Sequence, residues 1–230
     1  MRAAFHAGLE ELVSRLARMV RLTGEMMTNA SIALHQKDLA LAALVIADCD
    51  QIEAMHKSLE RRCITLLALE APVAGDLRVI IATVYALGHA QRMGNLARHV
   101  AMIAWHKRPN PMTSAAVRPV LARMSLLASQ LATDAATAIE YQDPLSGCRL
   151  AVADDEVDAL LRHLFGILFS EDWSHGVEQA VDAALIGRYY ERFGDHAVAI
   201  ARCVCYRVTG ARSEVRAVAG PAGSVEYRCR

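Results

Sequence analysis

Apolar residues recur along this chain at alternating spacings of three and four positions, the pattern of helices that pack one side against their neighbours. The clearest series is Ala183, Ile186, Tyr190, Phe193, Ala197, Ile200 and Val204. One hundred positions earlier the same spacing gives Thr83, Ala86, Ala90, Met93, Ala97, Val100 and Ala104. Both series predict a narrow buried seam on a long helix within a bundle.

Proline, glycine and polar turns divide the chain into six predicted helices. We predict helices that end near residues 36, 70, 107, 141, 169 and 209. Asp38 and Asp76 are predicted N-caps, since an aspartate side chain accepts hydrogen bonds from the free N–H groups of a first turn. Arg108-Pro109-Asn110-Pro111 breaks the third helix, and the fourth is predicted from about Thr113.

The two halves of the chain repeat one another. Gln91-Arg92-Met93-Gly94-Asn95 and Glu191-Arg192-Phe193-Gly194-Asp195 occupy matching places, and an internal repeat usually means a repeated structural unit. We therefore predict an all-α fold of two tandem three-helix bundles, spanning residues 1–108 and 112–210. Residues 211–230 lack helical periodicity and are predicted to form a disordered tail.

Composition narrows the function classes. The 25 basic and 25 acidic residues cancel, so no global attraction to nucleic acid is expected. The N-terminus lacks the apolar region of a signal peptide. The longest apolar run, residues 39–47, is shorter than the roughly 20 residues of a membrane-spanning helix. We expect a cytoplasmic protein that meets a membrane only through partners.

A group of carboxylates in the second half is a candidate metal site. Glu191 and Asp195 lie one helical turn apart and share a helix face. Asp155 and Asp158 share a face of the preceding helix, and four carboxylates from two helices could hold a cation through oxygen. The alternative is ion pairing of Glu191 with Arg188 or Arg192, and of Asp195 with Arg192 or Arg202.

The first half lacks this charge, because Gln91 and Asn95 stand where the second half has Glu191 and Asp195. Gly94 and Gly194 each cost about 1 kcal/mol relative to alanine inside a helix, so their coincidence indicates close helix approach or room for a partner. Arg92 and Arg192 also coincide, which suggests a partner- or anion-binding face. No nucleotide-binding loop or nucleophile motif occurs, so function is expected to come from binding surfaces and not from catalysis.

Tyr189-Tyr190-Glu191-Arg192-Phe193-Gly194-Asp195-His196-Ala197 resembles the E-R-x-G-D-H signature of PhoU proteins. In the first half, Gly75-Asp76-Leu77-Arg78 followed by Arg92-Met93-Gly94 resembles the matching segment of the other repeat. The stretch from Ala71 to Arg78 is similar to the actinobacterial branch of the family. The resemblance covers about residues 1–210.

The resemblance implies a regulatory adaptor of phosphate homeostasis that acts on the phosphate-specific (Pst) transporter. It implies two partners, the transporter ATPase and a phosphate-sensing histidine kinase, with repression of the phosphate-starvation response, and a homodimer. We assign Arg78, Arg92, Arg192 and His196 as candidate partner contacts. No cofactor is required, but the family's metal motif carries over to Glu191 and Asp195, which makes the second bundle the candidate place for iron or zinc. The alternative function is a metal storage or sensor protein.

Overall fold

The computed structural model describes residues 2–106, 114–211, 215–219 and 225–229. It contains six long helices, which confirms the predicted fold class. Their bounds are α1 Arg2–Gln36, α2 Leu39–Glu70, α3 Ala74–His106, α4 Arg118–Tyr141, α5 Ser146–Leu168 and α6 Gly176–Thr209. The predicted break at residues 108–111 lies outside the described residues. The fourth helix is predicted from about Thr113, but residues 115–117 form a turn and α4 begins only at Arg118.

Most helix ends follow the local chemistry read from the sequence. The Asp38 side chain accepts a hydrogen bond from the Leu41 N–H, so it caps α2 as predicted. Gly210 adopts a left-handed conformation after α6, where a side chain would be strained. Asp76 lies inside the first turn of α3 and is not its N-cap, because the helix already begins at Ala74. There the carboxylate still favours the positive end of the helix dipole.

The helices form two three-helix bundles in tandem. Helices α1, α2 and α3 pack against one another, as do α4, α5 and α6. The bundles join along two further contacts, α1 with α4 and α3 with α6. The four inner helices α1, α3, α4 and α6 therefore surround the centre, with α2 and α5 on the flanks. The α3–α6 pair and the α1–α4 pair form opposite sides of the molecule.

The two predicted seams are buried throughout. All fourteen residues of the two series are less than 5% exposed. They join one continuous hydrophobic core that extends across both bundles. The halves are thus separate in topology but share an interior, because α1 and α3 bury apolar surface against α4 and α6 as well as within their own bundle.

A polar network crosses the contact between the bundles. The Tyr190 hydroxyl on α6 is 2.8 Å from the Ser31 hydroxyl on α1, and it also hydrogen-bonds Ser125 on α4. The Thr28 hydroxyl donates to the Ser129 hydroxyl at 2.9 Å. Burial raises the pKa of Tyr190 to about 12, so the phenol stays protonated. These bonds tie both bundles to one relative position.

We predict that Tyr190→Phe lowers the free energy of unfolding by about 1–2 kcal/mol. The substitution keeps the ring but leaves the buried hydroxyls of Ser31 and Ser125 without the phenol that they contact. Chemical denaturation of both proteins measures the difference. Tyr85→Phe is the control, since Tyr85 is 56% exposed and should change stability little. Equal effects of the two substitutions would contradict a structural role for the network.

Two short strands lie within residues 211–230, the segment that the sequence predicts to be a tail. Residues Val215–Ala219 form strand β1 and Val225–Cys229 form strand β2, paired antiparallel with Val215 opposite Cys229. Valine and tyrosine favour strands, and the intervening sequence contains Gly220, Pro221 and Gly223, which is a hairpin pattern. Within residues 2–106 and 114–211, no helix is both long enough and apolar enough to cross a membrane.

Candidate functional site

Helices α3 and α6 lie antiparallel and bring the two repeat signatures together. His89 on α3 contacts His196 on α6, with 3.1 Å between their Nδ1 atoms. Farther along, the His99 ring stacks on Tyr189 with ring centroids 5.3 Å apart. Met93 and Phe193, which are equivalent positions of the repeat, lie near the same level between these two contacts. An approximate two-fold axis therefore passes through the α3–α6 contact at the signatures.

The carboxylates of the second bundle gather where α5 meets α6. Glu191 and Asp195 on α6 are joined by Asp154 and Asp158 on α5, and we call these four residues the acidic cluster. Gly194 makes the approach possible: a Cβ at this position would lie 2.2 Å from Asp154 Oδ1. The predicted close approach at Gly194 is thus present, and its neighbour is a carboxylate.

Electrostatics in the acidic cluster oppose ionisation. Burial, followed by the negative charges of Asp195 and Asp158, raises the pKa of Asp154 from 3.8 to about 7. Burial also raises the pKa values of Glu191 and Asp195, and neighbouring carboxylates add to this effect. Asp154 Oδ1 and Glu191 Oε2 are buried and have no hydrogen-bond partner among the residues that the structure describes. Such a cluster is stabilised by a proton or by another positive charge.

The alternative of ion pairing is present as well. Arg188 forms an ion pair with Glu191 through Oε1, three residues along the same helix. The positive charges of Arg188, Arg192 and Arg202 each lower the pKa of Asp195, against the larger effect of burial. These arginines offset part of the negative charge, but within the described part of the chain the second Glu191 oxygen remains unpaired.

The sequence predicts Asp155 as a ligand, whereas the structure places Asp154 in the acidic cluster. Asp155 is exposed, whereas Asp154 is half-buried against Gly194. A usable signal was present, since Asp154 and Asp158 have the same four-residue spacing as Glu191 and Asp195. Two such pairs on neighbouring helices face each other more directly than the three-residue spacing of Asp155 and Asp158 allows.

The acidic cluster meets some requirements of a metal site and not others. Carboxylate oxygens are suitable ligands for iron or zinc, and two of them are buried and unpartnered. As the side chains stand, however, no group of three or more His, Cys, Asp or Glu residues in the described ranges is arranged to hold a metal ion. A bound cation would have to draw the carboxylates closer together.

The first bundle carries the neutral counterpart of the acidic cluster. The Cys49 thiol donates to Asn95 Oδ1 at 3.4 Å, across the α2–α3 contact that corresponds to α5–α6. In the repeat, Cys49 matches Asp154, and Asn95 matches Asp195. Gly94 faces Ile52, whose nearest atom would lie 3.1 Å from an added Cβ. The close approach is therefore retained in both halves, whereas the charge occurs only in the second.

Basic side chains lie near the approximate two-fold axis. Burial lowers the pKa of His196 to about 4, with further lowering by His89, Arg92 and Arg192. Burial and the positive charge of Arg92 likewise lower the pKa of His89. The sequence did not indicate His89 as a site residue. Both imidazoles are therefore neutral at pH 7, and one ring can donate to the other. Arg92 and Arg192 are exposed beside them.

Arg78 does not belong to this group. It lies near the start of α3, about 20 Å along the helix from Arg92. Its guanidinium packs beside Gly210, where an added Cβ would lie 3.4 Å from Nη1. This is the negative end of the α6 dipole, which favours a cation. Of the four predicted partner contacts, the structure thus brings together Arg92, Arg192 and His196.

Comparisons with known proteins agree with the architecture. The PhoU domain matches residues 16–104 and 121–204, one match in each bundle. The "Phosphate-specific transport system accessory protein PhoU homolog 2" of Mycobacterium tuberculosis is 43% identical over 211 residues, covering 92% of this chain and 99% of the relative. "PhoU homolog 1" of Mycobacterium leprae is 41% identical over 220 residues, covering 96% and 99%.

A solved PhoU structure has the same fold as this chain. The crystal structure of PhoU from Pseudomonas aeruginosa superimposes with a TM-score of 0.79 and 28% identity, covering 90% of this chain and all of that one. The resemblance drawn from the two signatures is thereby confirmed. Both repeats are matched, and the mycobacterial relatives exceed 40% identity over more than nine-tenths of the sequence. The chain belongs to the PhoU family.

Proposed function

We propose that this protein is a cytoplasmic regulatory adaptor of phosphate homeostasis. It represses the phosphate-starvation two-component response and modulates the Pst transporter by protein contacts, without catalysing a reaction. The observation that carries the proposal is the match of both repeats to relatives named as phosphate-specific transport system accessory proteins. The proposed partners are the phosphate-sensing histidine kinase and the transporter ATPase.

Regulation of this kind needs contacts that differ between partner states. An adaptor shifts an equilibrium only by the difference between its affinities for the two states. The open α3–α6 side, with Arg92, Arg192 and His196 near its centre, is the surface that we assign to such contacts. The rigid core beneath it supports this, since a preformed surface loses little entropy on binding.

Co-purification tests the adaptor proposal. The tagged protein is expressed in cells grown in high and in low phosphate, and the kinase and the ATPase are quantified in the eluate. We expect both partners to be recovered, with amounts that change with phosphate. Recovery of neither partner under either condition would contradict the proposal.

A metal-dependent role is the second candidate, favoured by the unpartnered oxygens of Asp154 and Glu191. Elemental analysis of purified protein, followed by thermal melting with added Zn²⁺ or Fe²⁺, tests it. Stoichiometric metal and a raised melting temperature in the wild type, both lost in Glu191→Gln/Asp195→Asn, would support this role. A metal-free protein whose melting is insensitive to both ions would remove it.

A further inference from the structure

The outward side of α3 and α6 repeats an apolar pattern that the core does not use. On α3, Leu77 and Tyr85 are exposed and Ile81 is partly exposed. One hundred positions later, Val177, Val181 and Leu185 are all exposed. Each set has a spacing of four residues, which keeps it on one helix face, roughly opposite the buried seam.

This coincidence is informative because the two halves have diverged elsewhere. The pairs Gln91/Glu191 and Asn95/Asp195 differ in charge between the repeats, yet both repeats keep apolar residues at the three positions of this outward face. Exposed apolar side chains that recur in register mark a contact surface more strongly than scattered ones do. Arg92 and Arg192 follow at the same distance in each half.

The antiparallel packing places the two sets symmetrically. The contacts of His89 with His196 and of His99 with Tyr189 put the axis near Met93 and Phe193. Each apolar set is centred twelve residues from that level, at Ile81 and at Val181. At 1.5 Å per residue the two sets lie about 35 Å apart, on opposite sides of the axis. Arg92 and Arg192 lie close to it.

We propose that the α3–α6 side is a docking surface for a two-fold symmetric protein that presents the same apolar segment twice. Its two segments would be spaced about 35 Å apart, with acidic side chains near its own axis to face Arg92 and Arg192. Arg92 and Arg192 are both exposed, so their guanidinium groups can meet such a charge. Leu77, Ile81 and Tyr85 form one contact, and Val177, Val181 and Leu185 the other.

The proposal rests on the adaptor function and names the geometry of its partner. Two equivalent contacts on one rigid body raise affinity through effective concentration, without any new type of interaction. A dimeric partner would engage both contacts at once, whereas a monomer would engage one at a time. Loss of either contact should therefore weaken binding of the dimer much more than binding of the monomer.

The test measures the affinity of the full chain for the cytoplasmic region of the phosphate-sensing kinase, prepared as a dimer and as a monomeric variant. We expect Tyr85→Asp and Leu185→Asp each to weaken binding of the dimer at least tenfold. Binding of the monomer is expected to be weak and to fall only about twofold, because the other contact remains. Circular dichroism melting checks that each variant is folded.

Exposed apolar residues on other sides provide matched controls. Leu126→Asp on α4 and Ile64→Asp on α2 alter side chains about 60% exposed and should leave the affinity unchanged. Equal affinity for monomer and dimer, or an effect of only one of the two contact substitutions, would overturn the symmetric surface. Self-association of the wild type that Tyr85→Asp abolishes would also overturn the symmetric surface. Binding of the kinase that both substitutions leave intact overturns this inference alone, whereas no binding of kinase or ATPase overturns the adaptor function too.

Discussion

Asp154→Asn stabilises the metal-free protein at pH 8 by about 2 kcal/mol and has almost no effect at pH 4. The reason is the pKa of Asp154, which burial and nearby carboxylates raise from 3.8 to about 7. A folded-state pKa above the unfolded value means that the folded protein holds a proton which the unfolded chain has lost. Stability is then fully present below pH 3.8 and is lost as the pH rises toward 7.

The size of the stability gain follows from the difference between the folded-state and unfolded-state pKa values of Asp154. A pKa difference of about three corresponds to about 4 kcal/mol. Asp154 is only half-buried, so solvent screening reduces this to about 2 kcal/mol. Asparagine removes the charge while it keeps the shape of the side chain beside Gly194. The gain in stability should therefore appear at pH values at which the aspartate would be ionised, and not in acid.

Urea denaturation from pH 4 to pH 8 in the presence of a chelator measures this effect. Asp155→Asn removes a negative charge from the same helix at an exposed position and is the matched control, with a much smaller gain expected. A constant difference between wild type and Asp154→Asn at all pH values, or destabilisation at pH 8, would show that Asp154 does not carry the charge repulsion.

Gly24→Ala destabilises the protein by about 1–2 kcal/mol, although alanine is the better helix former. A Cβ at Gly24 on α1 would lie 2.9 Å from the Ala132 Cβ on α4, closer than van der Waals contact permits. Both atoms are attached directly to helix backbones, so the two bundles must move apart. Overpacking of this kind costs about 1–3 kcal/mol, more than the gain of up to 1 kcal/mol in helix propensity.

A double-mutant cycle isolates the contact between the bundles. Ala132→Gly makes room for the new methyl group, so Gly24→Ala/Ala132→Gly should be more stable than the sum of the single effects by at least about 1 kcal/mol. Gly88→Ala is the control: no atom lies within 4 Å of its added Cβ, and a gain of up to about 1 kcal/mol is expected. Additive effects in the cycle, or a gain from Gly24→Ala alone, would contradict close contact of the bundles here.

Much of the fold could be predicted because helical periodicity is local. The buried seams on α3 and α6, the cap at Asp38 and the end of α6 at Gly210 follow from spacing and side-chain chemistry alone. Contacts between helices depend on rotation and register, which periodicity leaves open. Gly24 against Ala132, and the Tyr190 hydroxyl between Ser31 and Ser125, could not be foreseen for that reason.

In the candidate site too, features of a single helix could be predicted, whereas contacts between helices could not. Glu191 and Asp195 could be selected because their spacing puts them on one face of a single helix. Their neighbour on α5 depended on how that helix is turned, and Asp154 was missed in favour of Asp155. His89 was missed because its contact with His196 joins two repeats whose relative placement the sequence does not state.

We propose that the protein represses the phosphate-starvation response, and a reporter strain tests this proposal most directly. A phosphate-starvation promoter drives a reporter in cells that lack this chain, with and without a wild-type copy, in phosphate-rich medium. We expect a high reporter signal in the deletion strain and repression when the wild-type copy is restored. Normal repression in the deletion strain would contradict it.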